Sequence, residues 1–252
     1  MSKVIFSDDK HKNIFLVDFA GESSVQSNIH LIIHDNKGII LDPGGHKVFN
    51  EAVTNLISEL QMKNLEYIFF SHQDPDIVAS ANGWLMSTDA QAWCPSCWTR
   101  FIPHFGFDKF VTKQLNPIPD KGMLLDLNGC QLMIIPAHHL HSVANFQLYD
   151  PYSKILYSGD LGTSLGIKYR EVRNFEGHLQ YMQNFHKRYM VSNTVVKKWA
   201  NMVRQMDIEM IVPQHGAFFI GKEMVTKFID WCEKTPCGID LMQDIYKIPE
   251  KK

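Results

Sequence analysis

In residues 69–80, FFSHQDPDIVAS, two phenylalanines lead straight into His72, Asp74 and Asp76, with Pro75 between the carboxylates. The arrangement recurs along the chain. Asp42 ends the run IILD, His141 follows MIIPAHHL, Asp160 ends ILYSGD and His215 follows MIVPQ. A carboxylate buried without a partner costs several kcal/mol, so apolar strands that end on Asp need something to neutralise them. A lone His or Asp at a strand end is ordinarily a cap or turn residue, and that reading suffices for His34, His104, His138, His139 and His178. Three His and three Asp arriving after four separate strands are different. They can converge on one edge of a sheet assembly, where loops build sites, and they suffice for two metal ions. An extended HQDPD loop would point His72, Asp74 and Asp76 to one side and Gln73 to the other.

The strands that carry these residues alternate with helices. IFLVDF (14–19) reads as a strand, and residues 29–42 as a hairpin closed at Asn36-Lys37-Gly38. Apolar residues at helical spacing predict a helix over 47–62, and residues 76–87 read as another. LEYIFFS (65–71) reads as a buried strand. Further strands are expected at 123–127, 130–137, 143–150, 154–160 and 209–213, with DPYS as a turn. Helices are expected over 176–205 and 221–233. Strand pairs followed by strand–helix units, in two halves, predict an α/β protein with two sheets face to face and helices outside. No Gly/Ser linker divides the chain, so residues 1–252 are expected to form a single domain.

Composition narrows the function. The net charge is −2, from 25 basic and 27 acidic residues, and no long basic run occurs. Nucleic acid and anionic membranes are therefore not expected partners. No apolar stretch approaches the ~20 residues of a membrane helix, and the charged N-terminus lacks a signal peptide's apolar region. Five cysteines, an odd number, suit a reducing cytoplasm. Cys94 and Cys97 form a C-x-x-C in AWCPSCWTRF, but no thioredoxin-like context surrounds it. Packing between tryptophans near a helix start is the expected role.

The series His72-x-Asp74-x-Asp76, His141, Asp160, His215 resembles the metal-ligand series of the metallo-β-lactamase superfamily. More narrowly, it resembles the diiron domain of flavodiiron proteins. NIHLIIHDNKGIILDPG is similar to the opening hairpin of that fold and PQHG to its closing ligand turn. The resemblance implies a metallo-β-lactamase-like αββα four-layer sandwich. It also implies that one metal takes His72, Asp74 and His141, that the other takes Asp76 and His215, and that Asp160 bridges them. His138 competes with His141 for its place, and the spacing to Asp160 favours His141. Two departures stand out. Asp74 replaces the family's Glu, and Ile77 replaces the His that ends the first motif, leaving an open position lined by an apolar side chain. Carboxylates mixed with imidazole suit iron better than zinc, so two iron ions are the expected cofactor.

Residues 216–252 are too few for a flavodoxin domain, and no glycine-rich phosphate loop occurs. No FMN is therefore expected in this chain, which is closest to the stand-alone oxygen-binding diiron proteins. That resemblance implies O2 binding, with a slowly reduced site holding a peroxide-level species as an oxygen sensor. The alternatives are an O2 or NO reductase fed by a separate flavodoxin or rubredoxin, and a binuclear metallohydrolase. A separate electron-transfer or signalling protein and a homodimer are the partners that the resemblance implies.

Overall fold

The structure is a computed structural model, and it describes residues 2–16, 27–242 and 245–249. Two sheets lie at its centre. The first joins β1 (Lys3–Ser7), β2 (His11–Leu16), β3 (Ile29–His34), β4 (Lys37–Leu41), β5 (Leu65–Phe69), β6 (Gln91–Pro95) and β7 (Leu115–Ile118), in that spatial order. Helices α1 (Phe49–Glu59), α2 (Pro75–Val78) and α3 (Ala81–Ser87) belong to this half. The second sheet joins β8 (Met123–Leu127), β9 (Cys130–Pro136), β10 (Phe146–Asp150), β11 (Ile155–Tyr157), β12 (Met210–Val212) and β13 (Phe219–Ile220), again as sequence neighbours. Its helices are α4 (Phe175–Tyr189), α5 (Asn193–Val203) and α6 (Lys222–Lys234).

Alternation along the strands builds three apolar layers from these elements. Along β2, Ile14 and Leu16 pack toward Ala52, Leu56 and Trp84, under the helices of the first half. Phe15, between them, faces the other way and meets Phe146 and Leu148 from the second sheet and Phe218 just before β13. Along β4, Ile40 joins the helix side, while Ile39 and Leu41 join the space between the sheets. On the far side, Tyr149 and Leu156 pack with Trp199 and Phe228 under α4, α5 and α6. Residues buried on both faces of a strand give the continuous apolar runs seen in the sequence. The result is the expected four-layer αββα sandwich.

Several local readings need adjusting. The first hairpin turns at Asp35 and Asn36, both with positive φ, while Lys37 and Gly38 already belong to β4. A two-residue turn with both residues left-handed matches the twist of the flanking strands. The 76–87 helix is two pieces, α2 and α3, and the 176–205 stretch is broken between Tyr189 and Asn193. The strand read over 14–19 starts earlier, at His11, and residues 17–19 lie outside the described residues. Strands β1, β6, β7 and β13 were not anticipated from the sequence. Cys94 is buried near the end of β6, and Cys97 is exposed in the short 3-10 helix Ser96–Trp98 that follows it, so the pair does stand at a helix start.

Candidate metal centre

Strand direction brings the six predicted donors to one edge. Parallel strands β4 and β5 end side by side, and β11 and β12, parallel in the second sheet, end at the same rim. His72 follows β5, Asp160 follows β11 and His215 follows β12, so the topology alone converges them. Asp74 is the last extended residue before α2, Pro75 occupies the first helical position, and Asp76 lies in that first turn. The alternating extended loop expected for HQDPD is therefore replaced by a strand-to-helix corner. Proline at the first helical position has no N–H to lose and a preset φ. Asp74 stands where a carboxylate would normally cap the helix, yet its side chain makes no capping bond. It is turned to the histidines instead.

The distances are those of donors around a shared cation. His72 Nε2 lies 3.5 Å from both Asp74 Oδ2 and Asp160 Oδ2. His141 Nε2 lies 3.5 Å from Asp74 Oδ2 and 2.6 Å from Asp160 Oδ2. His215 Nε2 lies 3.3 Å from Asp76 Oδ2 and 3.3 Å from Asp160 Oδ1. Donors each ~2.1 Å from one ion stand roughly 3–3.5 Å apart. His72, Asp74, His141 and Asp160 form a group whose ligand atoms all lie within 4.8 Å of one another. Asp160 faces one half of the site with Oδ2 and the other with Oδ1.

The chemistry of this set fits a pair of metal ions. His72 Nε2 and Asp160 Oδ1 are buried and make no well-formed hydrogen bond among the described residues, an expensive arrangement unless something else accepts their lone pairs. Protonation is the remaining way to offset the charge. Burial disfavours a charged His72, but the Asp160 and Asp74 carboxylates outweigh it and raise its pKa to about 10. His215 is likewise raised well above its ordinary value, against burial, by Asp160 and Asp76. Burial pushes Asp160 up, yet the surrounding histidines hold it well below the usual carboxylate range. The carboxylates thus favour positive charge on these histidines, the same electrostatic demand that a cation would answer.

Partners around the donors fix their orientation. Ser71 Oγ meets His72 Nδ1 at 2.9 Å, which leaves Nε2 for the centre. The Ser71 N–H donates to Asp42 Oδ1 at 2.8 Å. Asp42 thus supports the strand-end loop, and burial raises its carboxyl to about 6. Gln73, expected to face away, donates to Asp74 Oδ1 at 3.1 Å and accepts from Ser142 Oγ at 2.6 Å. Such outer contacts orient metal ligands. His138 bonds the Asp120 carbonyl and packs on Phe146, and His139 is exposed, so His141 alone of the three histidines joins the cluster.

A cavity of about 590 Å³ opens onto the donors. Its apolar wall is not Ile77, which is fully buried in the core beneath the helices of the first half. Leu165, Phe185 and Tyr189 form that wall, with Asn184 and Arg188 beside them. Phe185 and Tyr189 stack at 4.2 Å, and Tyr189 lies edge-on to the His141 ring at 5.4 Å. The only trace of them in the sequence is an i, i+4 aromatic pair on a predicted helix.

Known proteins share this architecture. A solved structure described as the peroxy diiron species of chemotaxis sensor ODP is 38 % identical, with a TM-score of 0.88. The alignment covers 97 % of this chain and 99 % of that one. The apo state of chemotaxis sensor ODP from T. denticola is 37 % identical over 98 % of this chain, with a TM-score of 0.86. The rubredoxin:oxygen oxidoreductase of Desulfovibrio gigas shares the fold, at 14 % identity and a TM-score of 0.77 over 92 % of this chain and 61 % of that one. Among curated proteins, the anaerobic nitric oxide reductase flavorubredoxin of Klebsiella pneumoniae is 22 % identical over 219 residues. That match takes in 79 % of this chain and 43 % of the relative, so the chain spans about half the length of the curated relatives it matches. A family model described as ODP family beta lactamase matches residues 25–216. By that match, and by end-to-end likeness to the chemotaxis-sensor structures, this chain belongs to the ODP family of β-lactamase-fold proteins.

Proposed function

We propose that this chain is a non-haem diiron protein that binds O2 and acts as an oxygen sensor. In this reading His72, Asp74 and His141 hold one iron, Asp76 and His215 the other, and Asp160 bridges. The observation that carries it is the convergence of three carboxylates and three imidazoles at one rim, all but His72 lining one cavity, in a chain 38 % identical to a structure described as a diiron chemotaxis sensor. Hard carboxylates mixed with imidazole favour iron over zinc. When bound, two ferrous ions supply the electrons that O2 takes up.

The chain's own residues control access to that centre. Phe185, Tyr189 and Leu165 place apolar surface over the donors, which restricts water and proton delivery from that side. Ile77 is fully buried among apolar side chains and offers no donor atom, so the second metal keeps fewer protein ligands than in binuclear hydrolases. A second reading, an O2 or NO reductase served by a separate electron donor, is favoured by the flavorubredoxin relative. No helix among the described residues is long and apolar enough to cross a membrane, which agrees with the cytoplasmic placement we propose.

Air exposure of the ferrous protein without reductant separates the readings. The sensor reading predicts a visible chromophore that persists for minutes, with little hydrogen peroxide released. Prompt bleaching with stoichiometric peroxide would move the assignment to the reductase.

A further inference from the structure

The edge of the sandwich opposite the donors holds a second group of metal-ligating side chains. His11 begins β2 and stands directly across from His34, the last residue of β3. Cys130 begins β9 and Asp150 ends β10, so both come from the second sheet. The two hairpin tips are tied there, with the Asn128 side chain donating to the Asp35 carbonyl at 3.2 Å. His11, His34, Cys130 and Asp150 are 1 %, 8 %, 6 % and 0 % exposed. The ligand atoms of His11, His34 and Cys130 lie within 4.8 Å of one another.

The orientation of the rings is informative. His11 Nε2 meets Asp150 Oδ2 at 2.8 Å, and His34 Nε2 lies 3.7 Å from Asp35 Oδ2. Each imidazole thus turns one nitrogen to a carboxylate, as metal-binding histidines do with the nitrogen that is not the ligand. The remaining nitrogens, both Nδ1, face each other at 3.1 Å. Two imidazole ligands of one ion stand at about that separation. Asn13 and Ser153 also donate to Asp150 Oδ2, and Tyr152 stacks on His11 at 4.5 Å, so the first imidazole is fixed in place.

We propose that His11 Nδ1, His34 Nδ1 and Cys130 Sγ form a second metal site, for a zinc-class divalent ion, that fastens the two sheets together. Charge favours a divalent ion: its two positive charges are balanced by the Cys130 thiolate and the Asp150 carboxylate, with both imidazoles neutral. A thiolate with two imidazoles is a softer set than the carboxylate-rich centre at the other edge, so the two sites prefer different metals. Without a cation, burial and then Asp150 push the Cys130 thiol up to about 12, so it stays protonated. Binding releases that proton to solvent as the metal–sulfur bond forms.

Cobalt(II) reports on this site because a Co–thiolate bond gives a near-ultraviolet charge-transfer band, whereas the carboxylate and imidazole centre contains no sulfur. Added to the iron-loaded full chain, Co²⁺ should give this band at one ion per chain, and Zn²⁺ should bleach it. Cys130→Ser should abolish the band with iron content unchanged, while Cys97→Ser retains it. Asp150→Asn, which keeps every ligand atom, should weaken Co²⁺ binding about 10- to 100-fold. Should Cys130→Ser fold poorly, His34→Asn with an unchanged circular dichroism spectrum should show the same loss. Absence of the band in the wild type, or its persistence in Cys130→Ser, would leave these side chains as a hydrogen-bonded cluster only and overturn the proposal.

Discussion

Asp160 turns its two oxygens to different histidines, Oδ2 to His72 and His141 and Oδ1 to His215. A carboxylate so placed serves both halves of the centre. Asp160→Ala should therefore bring iron close to zero per chain, and Asp76→Ala should lower it toward one; elemental analysis of both variants checks this. His30 gives a prediction on stability. It is buried among Phe15, Tyr157 and Phe218, neither ring nitrogen has a hydrogen-bond partner among the described residues, and burial lowers its pKa to about 3. Below pH 6.5 the unfolded chain takes up a proton that the folded chain refuses. Stability should thus fall as pH drops from 6.5 toward 3, by up to ~1.4 kcal/mol per pH unit for this group. His30→Phe in the metal-free protein should raise the urea midpoint at pH 5 more than at pH 8. An equal change at both would show that His30 does not resist protonation. The six proposed donors could be singled out because each follows a recognisable strand, and the structure brings their side chains together. Gln73, Ser142, Phe185 and Tyr189 could not be singled out, since their roles depend on how distant segments dock.

At the scale of elements, the turn that presents His215 is the most constrained. Gly216 has φ +91°, and a Cβ added there would lie 2.0 Å from Ser164 Oγ and 2.4 Å from the Ser164 carbonyl oxygen. Gly216→Ala therefore requires both a strained backbone and a displaced neighbour, at a cost of about 1–3 kcal/mol. It should lower the urea midpoint and deplete iron together. Retention of full iron content would mean that the turn does not set the position of His215. Strands with alternation or a tight turn were readable, including β3–β4 and β8–β9. Strands β1, β6 and β7 were not, because each is set by pairing with its neighbour rather than by a pattern of its own. The HQDPD corner was misread as extended because Pro75 is compatible with both a loop and a first helical turn.

Over the whole molecule, the sandwich has two functional edges by our account, a carboxylate-rich centre at one rim and the His11–His34–Cys130 cluster at the other. The four-layer architecture was legible from the two-fold repetition of strands and helices, and the resemblance supplied its name. The cavity wall contributed by α4 was not, because only the docked helix brings Phe185 and Tyr189 over His141. That the six strand-end donors hold two irons is the central claim. Metal analysis by mass spectrometry of protein isolated without added metal tests it most directly. The expected result is two irons per chain, lost together in Asp160→Ala. Two zincs in place of iron, or two irons retained in Asp160→Ala, would contradict it.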